Sequence, residues 1–237
     1  MIYSAKFNKE IELIFGIDLS ASFEPDKDSF LYKAFQKNLQ FAQKSLGSSY
    51  MQGIKNASLH PDRYGAFMIQ DAFYCIEGVK TLEIASLKAD RYPEIKKVID
   101  QVYRFYKDYV DTVILPNWTI KGTDSIEVRN GFKAYCELER KVANEREPIY
   151  MLVTLLPCYY LWAWLANQLK EYENNNIYGK WIRENQEMTP TIILYDAIEA
   201  FCRQNPSAFN ETEALELFGR AMEYEWNNFT EASEMEL

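Results

Sequence analysis

After residue 28, apolar residues recur at intervals of three and four with no sustained strand-like alternation, so the pattern predicts an all-α fold. The stretch from Ile149 to Leu169 stands apart because it carries no charged side chain. It is long enough for the ~20 apolar residues of a membrane span. Pro157 and Cys158 at its centre, and the Tyr, Trp and Asn scattered through it, fit better a helix buried on every side by other helices. The expectation is a central buried helix and no membrane partner. Around it the pattern predicts an amphipathic helix from Asp28 to Leu46, stopped by Gly47, and a long one from Pro61 to about Lys88. Pro93 opens a third, ending before Pro116. A fourth is predicted from Ser125 to about Asn144, capped by Thr123 or Asp124. Pro148 opens the central helix, and Pro157 is expected to kink it. A short helix over IYGKWIREN, one with Thr189 as cap and Pro190 in its first turn, and a last one from Asn210 complete the chain. The reading is one domain, residues 28–237, of about seven to eight helices; residues 1–27, of mixed pattern, form an extension.

The chain has 237 residues, 48% of them hydrophobic, enough for a sizeable core. A net charge of −9, with the basic residues scattered among acidic ones, argues against a nucleic-acid partner. Cys75, Cys136, Cys158 and Cys202 are widely spaced, and the first residues lack the layout of a signal peptide, so a reduced, cytoplasmic protein is expected. His60 is the only histidine, and its SLHPDR context reads as a helix entrance. That leaves no material for a di-iron bundle, and a metal centre is not expected.

The inward stripes carry the candidate chemistry. Phe67, Asp71, Tyr74, Gly78, Leu82 and Ala85 share one face of the second predicted helix, and Ala214, Phe218, Ala221, Glu225, Phe229 and Ala232 share one face of the last. Each stripe contains a carboxylate, and burying one without partners costs several kcal/mol. Either a tyrosine or arginine satisfies each acid within the core, or the acids face a polar pocket, which Tyr74 and Tyr135 make plausible. Cys158 has two readings as well. It is an inert core residue, or it is a nucleophile whose pKa is lowered by backbone N–H groups freed at Pro157. Trp162 and Tyr159 are core or pocket wall, and the other three cysteines are read as structural.

The segment YMQGIKNASLHPDRYGAFMIQDAFY, with its Gln-Asp-x-x-Tyr core after a Q-G-I loop, resembles the signature of the TenA family. These are the thiaminase II or aminopyrimidine aminohydrolase proteins of the haem-oxygenase-like all-α fold. LLPCYYLW resembles the family's nucleophile-bearing stretch, the Tyr135-to-Cys158 spacing matches without a gap, and YEWNNFTEA resembles its Tyr-Glu segment and selects Glu225. The similarity spans roughly residues 48–233. It implies a thiamin-salvage hydrolase, without a cofactor, that releases hydroxymethylpyrimidine from an aminomethyl-pyrimidine or from thiamin. In the implied roles Cys158 attacks the ring, Glu225 shuttles protons, Asp71 holds the amino side of the pyrimidine, and Tyr74 and Tyr135 orient ring and catalytic groups, with Trp162 beside the substrate. A homotetramer is implied in the same way.

Asn185 stands where the family has a tyrosine that supports the pocket aspartate, a departure that points to changed substrate orientation. The alternative reading is therefore a divergent TenA-like protein that acts on, or only binds, another small heterocycle, with a regulatory or partner-binding role. Haem oxygenase shares the fold but needs a histidine in its first helix, and His60 is not placed there.

Overall fold

The computed structural model describes residues 23–118 and 126–234. Among the described residues every regular element is helical. The expected extension lies outside them as far as residue 22, and so does the predicted Thr123/Asp124 cap.

Helices α1 (Phe30–Lys37) and α2 (Leu39–Gly47) replace the single first helix that the periodicity predicts. The break falls at Asn38, whose amide donates to the Ala34 carbonyl at 2.8 Å, a side-chain bond that competes with continuation of the helix. The Q-G-I segment, expected as a loop, is helical: α3 (Ser49–Lys55), capped by the Ser48 hydroxyl. Helix α4 (Pro61–Lys88) starts as predicted, with His60 as its cap and Pro61 in the first turn. Helix α5 (Pro93–Tyr109) does not end before Pro116. It widens into a π turn over Val110–Ile114 and continues through Leu115–Trp118, the wider turn separating the proline ring from the preceding carbonyls.

Helix α6 (Asn130–Glu145) begins five residues later than predicted. The Gln70 side chain, on α4, donates to the Glu127 carbonyl and accepts from the Arg129 N–H, holding that strip extended where sequence pattern alone would continue the helix. Val128, inside the helix by sequence pattern, therefore precedes it. The central helix α7 (Ile149–Gln168) is followed by α8 (Gly179–Glu184), α9 (Thr189–Gln204) and α10 (Glu211–Ser233). Asn210 caps α10 as expected, whereas the α9 entrance is capped by the Glu187 carboxylate, which accepts from the Thr189 N–H.

Of the 20 residues of α7, 17 are buried. It is the one described helix long and apolar enough to cross a membrane, and α10, α9, α6, α8 and α2 cover it instead. Pro157 lies inside it without ending it. Helices α4, α5 and α6 form the adjoining layer, drawn close at Gly78, where a Cβ would lie 2.8 Å from the buried Tyr106 ring. The connection between α7 and α8 is anchored too: Asn176 donates to the Ile54 carbonyl at 2.9 Å, and Tyr178 to the Leu59 carbonyl at 2.6 Å.

Gly78→Ala gains about 1 kcal/mol of helix propensity and pays about 1–3 kcal/mol for overpacking against a ring that cannot swing away. The expected result in urea denaturation is net destabilisation. A variant more stable than the wild type would show that α4 and α5 can separate freely at this contact.

Candidate active site

Four helices bring their inward polar residues together around the middle of α7. Asp71 and Tyr74 lie one turn apart on α4, Tyr135 and Glu139 one turn apart on α6, and Cys158 and Trp162 one turn apart on α7. Glu225 comes from α10. Asp71, Cys158 and Glu225 are each 3% exposed and Tyr135 is fully buried, so the acids of the two sequence stripes do face inward.

The Cys158 thiol lies within reach of the Glu225 carboxylate, and the Trp162 indole N–H donates to the same carboxylate at 3.1 Å. The Tyr135 hydroxyl donates to the Thr154 carbonyl, one turn before Cys158, at 2.8 Å. Tyr74 packs against Tyr135 with ring centroids 5.2 Å apart and donates to the Glu139 carboxylate at 2.7 Å. Asn185 is buried at the end of α8, where its amide donates to the Trp181 carbonyl at 2.8 Å, and the Trp181 ring stands 5.9 Å from that of Trp162. This aromatic pair is one link between Asn185 and the other candidate residues. His60 caps α4 at the surface, and among the described residues no group of acids, cysteines and histidines is arranged to hold a metal.

Three participants escaped the sequence reading. Glu139, 1% exposed, sits four residues after Tyr135, a spacing that could have exposed it as a third inward acid. Tyr50 of α3 and Trp181 of α8 are buried, and neither the Tyr50 hydroxyl nor the Trp181 indole N–H has a hydrogen-bond partner among the described residues. The Tyr50 hydroxyl lies in the electrostatic neighbourhood of Asp71, Tyr64 and Tyr178. Unsatisfied buried donors beside a buried carboxyl are groups that a polar heterocycle would satisfy. Surface clefts of about 620 and 560 Å³ are lined by none of these residues.

Burial dominates the electrostatics. It raises the Glu225 pKa to about 7 against the opposing pull of the Trp162 N–H, and the Glu139 pKa to about 8 against that of the Tyr74 hydroxyl. Asp71 moves upward for the same reason. The Cys158 thiol is pushed well above its ordinary value, first by burial and then by Glu225. Of the two sequence readings of Cys158, the one that needs a lowered thiol pKa is contradicted on that point. Because α7 passes through Pro157 unbroken, no new helix start faces the sulfur, and Glu225, Asp71 and Glu139 each act to raise its pKa further. The thiol therefore rests protonated, beside a Glu225 carboxyl that titrates near neutrality.

Carboxyls with raised pKa retain protons in the folded state that the unfolded chain has already released, so stability falls as pH rises between the two values. Thermal unfolding should show Tm decreasing as pH is raised from about 5 through about 8, with a shallower slope in Glu139→Gln and Glu225→Gln. A flat profile in the wild type would mean that these acids do not sit protonated in the core.

No protein-family model matches the sequence, and no curated protein matches it significantly. Solved structures do match the fold. A TenA homologue from P. horikoshii OT3 superposes with TM-score 0.72 at 18% identity, over 87% of this chain and 99% of its own. A TenA family transcription regulator from Silicibacter sp. TM1040 gives TM-score 0.75 at 13% identity, over 87% and 97%. A candidate TenA-like thiaminase from Sulfolobus solfataricus P2 gives 0.64 at 17% identity, over 86% and 95%. With nearly the full length of each of these proteins reproduced, this chain has the all-helical fold of the TenA proteins.

Proposed function

We propose that this protein is a thiamin-salvage hydrolase of the TenA type, acting on a 4-amino-5-aminomethylpyrimidine, and on thiamin, whose thiazolium departs as the neutral thiazole. The observation that carries the reading is the buried Cys158 thiol beside a buried Glu225 that Trp162 holds and whose pKa is near 7. One candidate neighbour is described as a TenA-like thiaminase, which supports the same chemistry.

As Cys158 adds to the pyrimidine ring, its proton passes to Glu225. The electron pair gained by the ring then expels the exocyclic amine, which takes the proton from Glu225. Water adds at the exposed methylene, giving a proton to Glu225. Loss of the Cys158 sulfur restores the aromatic ring and, after the proton returns to the thiol, the free enzyme. The sum is aminomethylpyrimidine plus water giving hydroxymethylpyrimidine plus ammonia. Asp71 would pair with the amino edge of the ring, and Tyr50 and Trp181 offer further donors. Trp162 serves twice in this scheme, as ring wall and as the donor that keeps Glu225 ionisable. A homotetramer in a reducing compartment completes the proposal. The competing reading is a protein of this fold that binds a heterocycle without turnover; the description of the Silicibacter relative as a transcription regulator gives it a precedent.

The test is ammonia and hydroxymethylpyrimidine release from aminopyrimidine and thiamin in parallel. The rate should rise with pH through about 7 as Glu225 becomes the carboxylate, and Glu225→Gln should lower kcat by about 10²–10⁴-fold. Cys158→Ala should abolish turnover with the helical circular dichroism unchanged. Ligand binding without turnover in folded wild-type protein would overturn the hydrolase reading in favour of the binder.

A further inference from the structure

Glu139 is a buried carboxyl, 1% exposed, that forms no ion pair among the described residues. It accepts a hydrogen bond from the neutral hydroxyl of Tyr74 at 2.7 Å. The groups facing it are Tyr74 and Cys75 on α4, Tyr106 on α5, Cys158 and Tyr159 on α7 and Glu225 on α10, with Tyr135 and Cys136 on its own helix. None of these is a cation. An apolar residue of similar volume would stabilise such a position better than an acid held by a single hydroxyl, so stability does not account for Glu139. Its place does: the Tyr74 hydroxyl that it holds is also within hydrogen-bond reach of Tyr135, the tyrosine bonded one turn from Cys158.

We infer that Glu139 is a positioning residue which, through its proton, sets the direction of the Tyr74–Tyr135 hydroxyl chain beside Cys158 and Glu225. Each tyrosine has one proton to donate. When Glu139 is protonated it donates to Tyr74, Tyr74 donates to Tyr135, and Tyr135 donates to the Thr154 carbonyl, so every hydroxyl points the same way. When Glu139 is ionised, Tyr74 turns its proton to the carboxylate, Tyr135 loses that donor, and a new negative charge faces Glu225 and Cys158. Burial pushes the Glu139 pKa up to about 8, so the aligned chain is the form present at neutral pH. The protonation state of one acid outside the reacting groups thereby governs the site on its alkaline side. This rests on the hydrolase reading for its kinetic consequence but not for the hydrogen-bond coupling itself.

Two measurements test it. Infrared titration of the wild-type protein should show a protonated-carboxyl band that is lost as pH rises through about 8, with a tyrosine C–O band shifting in parallel. The carboxyl band should be absent in Glu139→Gln. In Tyr74→Phe it should persist to higher pH, because the hydroxyl that favours the ionised form is gone. In turnover, the wild type should lose rate above about pH 8. Glu139→Leu should lose kcat by about tenfold with KM changed less than about twofold, while its Tm equals or exceeds that of the wild type. Glu139→Gln should recover most of the kcat lost in Glu139→Leu and lack the alkaline decline. A residue with a purely structural role would lower Tm and leave the shape of the pH profile intact. The inference is overturned by a titration unmoved in Tyr74→Phe, by an alkaline limb that survives in Glu139→Gln, or by undiminished kcat in Glu139→Leu. If folded wild-type protein turns over neither substrate, the hydrolase reading falls, and the infrared comparison still decides for or against the coupling.

Discussion

A helix with no polar face has to be wrapped by other parts of the chain, and Ile149–Gln168 is such a helix. Its Leu, Val and Tyr side chains point in all directions, each worth roughly 1.5–3 kcal/mol when removed from water, so nothing is gained by leaving any side of it open. Helices α10, α9, α6, α8 and α2 arrive with one apolar face each and use it here. A side chain in the middle of α7, such as Cys158, is then reachable only by residues on the inward stripe of a neighbour. The location of the site follows from the same constraint: a polar group that meets Cys158 replaces an apolar one in the core.

Such replacement is costly, which is why the inward acids are informative. Asp71, Glu139 and Glu225 come from three different helices and lie around one thiol, with no basic residue in an ion pair with any of them among the described residues. Protonation reduces the cost, and the raised pKa values of Glu139 and Glu225 are its expression. The energetics that disfavour charge in this core also leave two acids titrating near neutral pH, where proton transfer is most effective. On the proposed hydrolase reading a high thiol pKa fits this arrangement, since the thiol need not be ionised before attack when a carboxyl titrating near neutrality stands beside it.

The aromatic part of the site obeys a looser rule. Trp162 and Trp181 face each other across α7 and α8, and Asn185 contributes by bonding the Trp181 carbonyl at the end of its short helix. Burial in such a wall constrains size and shape more than identity, so the fold can persist at 11–18% identity while the residues that touch a ligand change. Likeness of fold to the TenA proteins therefore says less about substrate than the particular donors Tyr50 and Trp181, which the interior leaves unpaired.

Periodicity in the chain determined most of the helices, the central place of α7 and the inward orientation of Asp71, Tyr74, Tyr135 and Glu225, because a 3.6-residue repeat records which face is buried wherever an element is found. It could not determine the break at Asn38, the late start of α6 or the continuation of α5 past Pro116, since these depend on a side chain's choice of a local backbone partner, on side chains hundreds of atoms away in covalent sequence, and on a local change of helical turn, respectively. Gln70 holding residues 127 and 129 is the plainest case. Glu139 was within reach of the same repeat, four residues after Tyr135, yet only its contact with Tyr74 from another helix distinguishes it from a surface acid on an amphipathic segment. The direction of the Cys158 pKa lay furthest from the sequence. Pro157 beside it suggests a broken helix and an exposed dipole, whereas desolvation and the sign of the neighbouring charges set the outcome, and both are properties of the packed surroundings that no stretch of the chain encodes alone.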